Sequence, residues 1–469
     1  MLLSRRSLLG APALALAQSK AVEIRIREVR VEYEDFRYRT PYKFGNQVVD
    51  RVTLLNVRTR VEGSNGKSAE GFGSMSLGVN WAFPSKALTY AETLEAVKAH
   101  AAKIRTITAG YGEAGHPVEI NHSLEPEYLK AAIEVERERK LPVPIPKLCT
   151  LLAASPFDAA LHDGYGKLLG RPAYATYGPD CLRHPLDRYL GPEFRGEHLS
   201  RYIQRKPTPS IALFHSVGAG DPIEAEDISQ RIGDGMPETL PEWIRYNGLT
   251  HIKIKLTGDD LRWDADRVVR IDRAAARTQA ERGVKELRYC LDFNERCPSA
   301  QALLSFIQEV KARAPEAFGR ILYLEQPTAR DLRANPQNTM QEAAKLRPVV
   351  IDESLVDYES LLAARDLGYT GVALKACKGQ SSAKLMAAAA QKHKMFLCVQ
   401  DLTCPGASFI HSAGLAAHVP GVSGIEGNSR QYVPSANAAW LKSHPGLFVV
   451  KNGRLRTSTL TGQGLSFAS

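Results

Sequence analysis

Seven polar residues recur at nearly even spacing through the second half of the chain: Lys255, Asp292, Glu325, Asp352, Lys375, Gln400 and Glu426. Each closes a short apolar run. Three of them are carboxylates: Asp292 in Leu-Asp-Phe-Asn-Glu, Glu325 in Leu-Glu-Gln-Pro and Asp352 in Ile-Asp-Glu-Ser. They offer oxygen donors with no His or Cys beside them, which suits Mg2+ or Mn2+ better than zinc. One such acid alone would more often cap a helix or face water. Three buried together would repel one another and be costly to desolvate, and a divalent cation removes that cost.

Lysines flank the acids in sequence. In Lys253-Ile254-Lys255, strand alternation puts both lysines on one side. A lysine is a poor base at its free pKa of about 10.4. Neighbouring positive charge, here Lys253 and the cation, is expected to depress Lys255 towards neutrality. Two lysines and a carboxylate-bound cation suit removal of the proton from a carbon next to a substrate carboxylate.

Such residues act together only if the fold gathers them. Apolar runs at 210–215, 251–256, 287–293, 320–325, 348–352, 371–375, 395–400 and 422–426 alternate with amphipathic helical segments. Eight parallel strands joined by helices favour a closed TIM-type (β/α) barrel over an open sheet. No Gly-x-Gly-x-x-Gly follows the first strand, which removes the main support for dinucleotide binding. In a barrel the strand-end residues converge on the C-terminal mouth, where barrel active sites lie. Strands 2 and 6 lie on opposite sides, so Lys255 and Lys375 would flank a bound substrate.

The first half reads differently. Residues 22–33 and 52–62 alternate as strands, and Ser64-Asn65-Gly66 is a turn. Helical spacing covers 91–107, 126–140 and 155–169, the last with Ser155-Pro156 as its start and Gly170 as its stop. We expect an α+β capping domain over residues 21–200, completed by 441–469, and a barrel over 205–440. Cap loops at Tyr42–Asn46 and Met75–Phe83 would set specificity. Tyr42 and Trp81 are thus candidate substrate contacts, together with Asn294, Glu426 and Asn428 at strand ends.

Composition narrows the class. The 469 residues are 44% hydrophobic and 24% charged, ordinary for a globular chain. The net charge of +10 is spread among acids without a long basic block, so nucleic-acid binding is not expected, and a small anionic substrate is mildly favoured. Arg5-Arg6, a short apolar stretch and Ala15-Leu16-Ala17 resemble a twin-arginine export signal over residues 1–17. A periplasmic or exported protein, folded in the cytoplasm before export, is the expectation, with no membrane association once the signal is removed. The seven cysteines include no Cys-x-x-Cys, and neither a disulfide framework nor a zinc site is expected. A homo-oligomer is expected.

The series Lys-x-Lys, Asp, Glu, Asp-Glu-Ser and Lys resembles the enolase superfamily, in particular its muconate-lactonizing and dipeptide-epimerase branch. Asp158-Ala-Ala-Leu-His-Asp163 resembles the helix before the barrel, Gly71-Phe72-Gly73 the end of the capping strands, and Val450-Lys-Asn-Gly-Arg454 the strand that returns to the cap. The resemblance implies Asp292, Glu325 and Asp352 as Mg2+ ligands, and Lys255 and Lys375 as acid and base on opposite faces of the α-carbon. Lys253 would help neutralise the carboxylate or enediolate. Departures are Ser74 where a Glu is usual, Lys378-Gly379-Gln380 where Gly-Gly is frequent, and Glu426-Gly427-Asn428 in place of the Asp-x-Asp that holds a dipeptide's amino group. The expected activity is racemisation or epimerisation of a small, amino-acid-like or dipeptide-like carboxylate. Cycloisomerisation or β-elimination is the alternative, and an exported non-catalytic carboxylate-binding protein is a reading of another class.

Overall fold

Alternating apolar residues in the first sixty positions need a surface to cover, and a long helix supplies it. The computed structural model describes residues 21–45 and 47–467. The expected export segment at 1–17 lies outside the described residues. Strands β1 (Ile24–Phe44), β2 (Gln47–Gly63) and β3 (Ser68–Ser76) form an antiparallel sheet in the order β1-β2-β3. Helices α1 (Val79–Ala82), α2 (Tyr90–Ala109), α3 (Pro117–Arg139) and α4 (Lys147–Leu168) follow.

Three boundaries differ from expectation. The region around Tyr42 is not a loop, because β1 runs on to Phe44 in a long hairpin with β2. Helix α3 starts at Pro117 and carries Pro126 inside it. Helix α4 starts at Lys147 rather than at Ser155, and Pro156 is interior. An interior proline frees the carbonyl four residues back. Here that carbonyl, of Leu152, takes the Ser155 hydroxyl at 2.8 Å. Nearly every residue of α4 is buried, so tertiary packing outweighs the local penalty. The closeness of that packing explains Gly71 and Gly73. A Cβ on either would lie 1.9 Å from a carbonyl oxygen of α4, Ala160 for Gly71 and Pro156 for Gly73.

The second domain is the expected barrel. Strands β4 (Ser210–Val217), β5 (His251–Lys255), β6 (Arg288–Asp292), β7 (Ile321–Glu325), β8 (Val349–Ile351), β9 (Gly371–Leu374), β10 (Phe396–Val399) and β11 (Val422–Glu426) are parallel neighbours in that order. Pairing of β11 with β4 closes the ring. Helices α5 (Leu240–Asn247), α6 (Leu261–Glu281), α7 (Ala300–Arg313), α8 (Pro315–Arg320), α9 (Gln341–Leu346), α10 (Tyr358–Asp366), α11 (Gln380–Lys392) and α12 (Ala407–His418) lie between the strands in sequence. Phe214, Cys290, Tyr323, Val350, Ala373 and Cys398 form a separate buried cluster within the ring.

The segment expected to return to the cap pairs elsewhere first. Strand β12 (Arg454–Arg456) runs antiparallel to β4 of the barrel. The chain reaches the cap only afterwards, where the Leu465 N–H donates to Asp163 at 2.9 Å. The other oxygen of Asp163 takes the Phe72 N–H at 2.9 Å, so one buried carboxylate ties helix α4, strand β3 and the C-terminal segment. All seven cysteines are free and buried. No helix among the described residues is long and apolar enough to cross a membrane.

Candidate active site

Parallel register lines up the acidic strand ends. Lys255 pairs with Asp292, and Asp292 with Glu325, as direct partners across β5, β6 and β7. Asp352 follows directly on β8 and Lys375 on β9. All of these side chains are buried. In an eight-membered ring β5 and β9 are four strands apart, so Lys255 and Lys375 approach the mouth from opposite sides.

Every oxygen of the three candidate ligands has a donor. Lys253 Nζ reaches Glu325 Oε1 at 2.8 Å, Asp292 Oδ2 at 3.0 Å and Glu426 Oε2 at 2.8 Å. Lys255 Nζ also binds Asp292 Oδ2, and the Asn294 N–H donates to Asp292 Oδ1 at 2.8 Å. Gln400 Nε2 donates to Glu325 Oε2 at 2.8 Å, and to the Tyr323 hydroxyl within the ring. Lys375 holds Asp352 Oδ2 at 2.7 Å and Lys378 holds Asp352 Oδ1 at 3.2 Å.

These contacts set the electrostatics of the lysines. Burial pulls Lys255 down, but Asp292 outweighs it and the ammonium is held above its ordinary range. Lys375 is raised in the same way by Asp352, and Lys253 well above its usual value by Asp292, Glu325 and Glu426. The carboxylates diverge. Burial pushes Asp292 up, yet Lys253 and Lys255 hold it far below the usual range. Glu325 is pushed well up by burial and by the charge of Asp292, with Asp352 adding to it.

As the side chains stand, no group of three or more His, Cys, Asp or Glu among the described residues is arranged to hold a metal ion. The donor chemistry fits a hard divalent cation nonetheless. Three acids supply only oxygen, and they converge closely enough for Asp292 and Asp352 both to push Glu325 up.

The cap closes the mouth. A cleft at the mouth is lined by Lys255 and Lys375 together with Tyr42, Trp81, Asn294, Glu426 and Asn428. The structure therefore brings all five candidate substrate contacts to one space with both lysines. From the cap, Phe44 lies against Lys255, its ring 5.7 Å from Nζ, and Trp81 against Lys375. Trp81 Nε1 donates to Glu353 Oε1 at 3.0 Å, and its ring lies 4.2 Å from Lys375 Nζ and 5.7 Å from Lys378 Nζ.

Some residues of the mouth escape a reading by strand ends alone. Asp401 lines the cleft, and burial followed by the charge of Glu426 pushes it up to about 8. Glu353, next to Asp352, is pushed up to about 7 by burial and that neighbour. Lys378 is drawn down by burial. Asp401 and Glu353 each stand one position beyond a named strand-end residue, which is the only sequence signal for them.

A closed parallel barrel with lysines and carboxylates at its C-terminal mouth, covered by an α+β cap, defines an enolase-like architecture. Residues 236–468 match the family described as enolase C-terminal domain-like. The chain belongs to the enolase superfamily, in its mandelate racemase and muconate-lactonizing family. A muconate lactonizing enzyme from Pseudomonas fluorescens, solved with muconolactone, is 16% identical, with 94% of this chain and 96% of that one covered at a TM-score of 0.59. A dipeptide epimerase from Enterococcus faecalis, solved with Mg and the dipeptide L-Leu-L-Tyr, is 16% identical, with 95% and 99% covered at 0.59. A mandelate racemase/muconate lactonizing protein from Herpetosiphon aurantiacus is 18% identical, with 94% and 97% covered at 0.59. At such identities the likeness shows the fold. No curated protein matches the sequence.

Proposed function

We propose that this protein removes the proton α to a substrate carboxylate and returns it on the other face, as a racemase or epimerase. The observation that carries the reading is the approach of Lys255 and Lys375 to one cleft from strands four apart around a closed eight-stranded ring. Asp292, Glu325 and Asp352 would hold Mg2+ or Mn2+. That cation, when bound, supplies positive charge against the carboxylate and the enolate. The same engagement would release Asp292 from Lys255 and Asp352 from Lys375. Lys255 and Lys375, freed in that way from the carboxylates that raise them, would each offer an Nζ able to accept a proton. Lys253, deeper on the same strand as Lys255, stays charged beside Glu325 and Glu426 and offsets negative charge as the proton leaves.

The test is solvent-deuterium exchange at the α-carbon, followed by NMR, over a library of carboxylates with Mg2+ present. Exchange coupled to stereochemical inversion is the expected result. Exchange without inversion would move the assignment to one-base cycloisomerisation or β-elimination. Binding without exchange by any acid would support a carboxylate-binding protein instead. Calorimetric Mg2+ titration of Asp292→Asn and Glu325→Gln checks the ligands, and unchanged affinity in both would remove them. We also propose export through the twin-arginine route. Residues 1–25 fused to a reporter should be exported, and Arg5→Lys with Arg6→Lys should abolish it. Export that survives the double change would refute this.

A further inference from the structure

Helix α1 of the cap is a single turn, and its last carbonyls find no partner inside it. Basic side chains commonly take up such carbonyls. Here the side chain comes from the barrel. Arg330, in the loop after β7, donates from Nη1 to the Trp81 carbonyl at 3.1 Å. The indole of Trp81 donates in turn to Glu353, and its ring covers Lys375. Among the described residues, Arg330 and Glu353 are the hydrogen-bond partners that the barrel offers Trp81. Arg330 itself does not line the cleft.

The rest of the guanidinium is fixed by the barrel. Its Nε donates to Glu295 Oε2 at 2.7 Å, the Arg330 N–H donates to the same oxygen at 3.1 Å, and Nη2 donates to Glu295 Oε1. Such a two-pronged bond fixes direction as well as distance. The Arg330 carbonyl accepts from the Ser354 hydroxyl at 2.9 Å, and that oxygen takes Gln326 Nε2 at 2.8 Å. Loops after β6, β7 and β8 therefore agree on where the free Nη1 stands. Glu295 has φ 62 and Asn294 has φ 44, left-handed values that side-chain-bearing residues rarely adopt. Strain of this kind persists where the surroundings over-determine it, and the Arg330 fork does so for Glu295.

We infer that Arg330 is a positioning residue: from the barrel it fastens the cap turn that carries Trp81, and so keeps water from Lys375. The role of Lys375 rests on the proton-abstraction reading, whereas the fastening does not.

The test is lysine acetylation of the folded full chain by acetic anhydride, with no metal added, read residue by residue by mass spectrometry. Arg330→Met keeps the bulk of the side chain and removes its donors. Loss of a charge-assisted hydrogen bond should raise local opening at Trp81, and with it the labelling rate of Lys375, by about 10–100-fold. Lys253, buried deeper at the same mouth, and Lys384, buried in the seam between cap and barrel, should keep the parent's rates. Both serve as references within one preparation. Trp81→Ala should give the same selective rise, and adding Arg330→Met to it should give no more. Arg330→Lys keeps a cation for Glu295 without the rigid fork, and should give a smaller rise of the same selectivity. No rise at Lys375 in either Arg330 variant overturns the inference. A rise shared by all three lysines overturns it too, since that marks general loosening. A selective rise in a protein that exchanges no carboxylate's α-proton would keep the fastening and remove the proton-abstraction reading.

Discussion

Two buried polar regions of this molecule use similar residues to opposite ends. At the barrel mouth, Lys253, Lys255 and Lys375 face Asp292, Glu325, Asp352 and Glu426, and all three lysines are raised above their ordinary range. In the seam between the cap helix α4 and the barrel helices α11 and α12, Lys384 and several histidines surround a single carboxylate, Asp158. Burial pushes Asp158 up, yet His162 beside it, and then Ser381, which donates from its N–H and its hydroxyl at 2.7 Å each, hold it below its usual range. Lys384 finds the Gln380 carbonyl at 3.1 Å and the rings of Tyr174 and Tyr177. Burial draws it down to about 7, and draws His116, His162 and His411 down as well. Burial depth is the same in both places. What differs is whether each cation has an anion of its own, and that decides whether the region stores charge or suppresses it.

The largest effect should come from removing the proton-transfer groups at the mouth. Lys255→Ala and Lys375→Ala should each lose net isomerisation by several orders of magnitude, since a positioned acid or base contributes about 10²–10⁴-fold and one lost base stops the cycle. Each variant should keep deuterium exchange for one stereoisomer alone, and for opposite isomers. NMR in D2O reads this, and exchange of both isomers by Lys375→Ala would reduce the mouth to a one-base site.

Charge matching itself is tested by a pair of methionine substitutions. Lys253→Met strands carboxylates that have lost a buried partner and should cost about 3–5 kcal/mol. Lys384→Met replaces a lysine without an ion pair and should stay within about 1 kcal/mol of the parent. Equal losses in urea denaturation would erase the distinction between the regions.

The seam histidines predict a pH dependence. Burial holds His411 at about 3 and His418 at about 4, against an ordinary value of about 6.5. A base depressed in the folded state contributes stability above the unfolded pKa, and that contribution is lost as pH falls towards the folded value. The urea midpoint should therefore drop between pH 7 and pH 4, each group costing at most about 1.4 kcal/mol per unit of separation. His411 accepts the Ser74 N–H at 3.2 Å, a bond that a glutamine oxygen can keep, so His411→Gln should flatten the slope. A slope unchanged in that variant would place the pH dependence elsewhere.

A loss smaller than that at Lys253 is expected at Asp158. Asn keeps an acceptor but loses the negative charge at the start of α11, so Asp158→Asn should cost about 1–2 kcal/mol by urea denaturation. A loss below the error of the measurement would mean that the seam holds no charge at all.

Much of the barrel was readable along the chain. Eight apolar runs alternate with amphipathic segments, and the residues that end them mark the mouth, because a barrel strand is short, buried and turned to solvent chemistry only at its C-terminal end. The candidate ligands and lysines followed from that spacing alone. Local signals failed where packing outweighs propensity. Pro126 and Pro156 read as helix starts, yet both lie inside longer helices that neighbouring elements hold together. The hairpin reaching Phe44 read as a loop, because its tip is shaped by the cleft it covers rather than by its own alternation. Residue types and their order determined that lysines and carboxylates would meet. Only the tertiary structure decided which carboxylate each lysine binds, and that Asp401 and Glu353 join the mouth. The reason is that an electrostatic shift depends on distances of a few ångströms between side chains from different strands, and linear sequence carries no such distances.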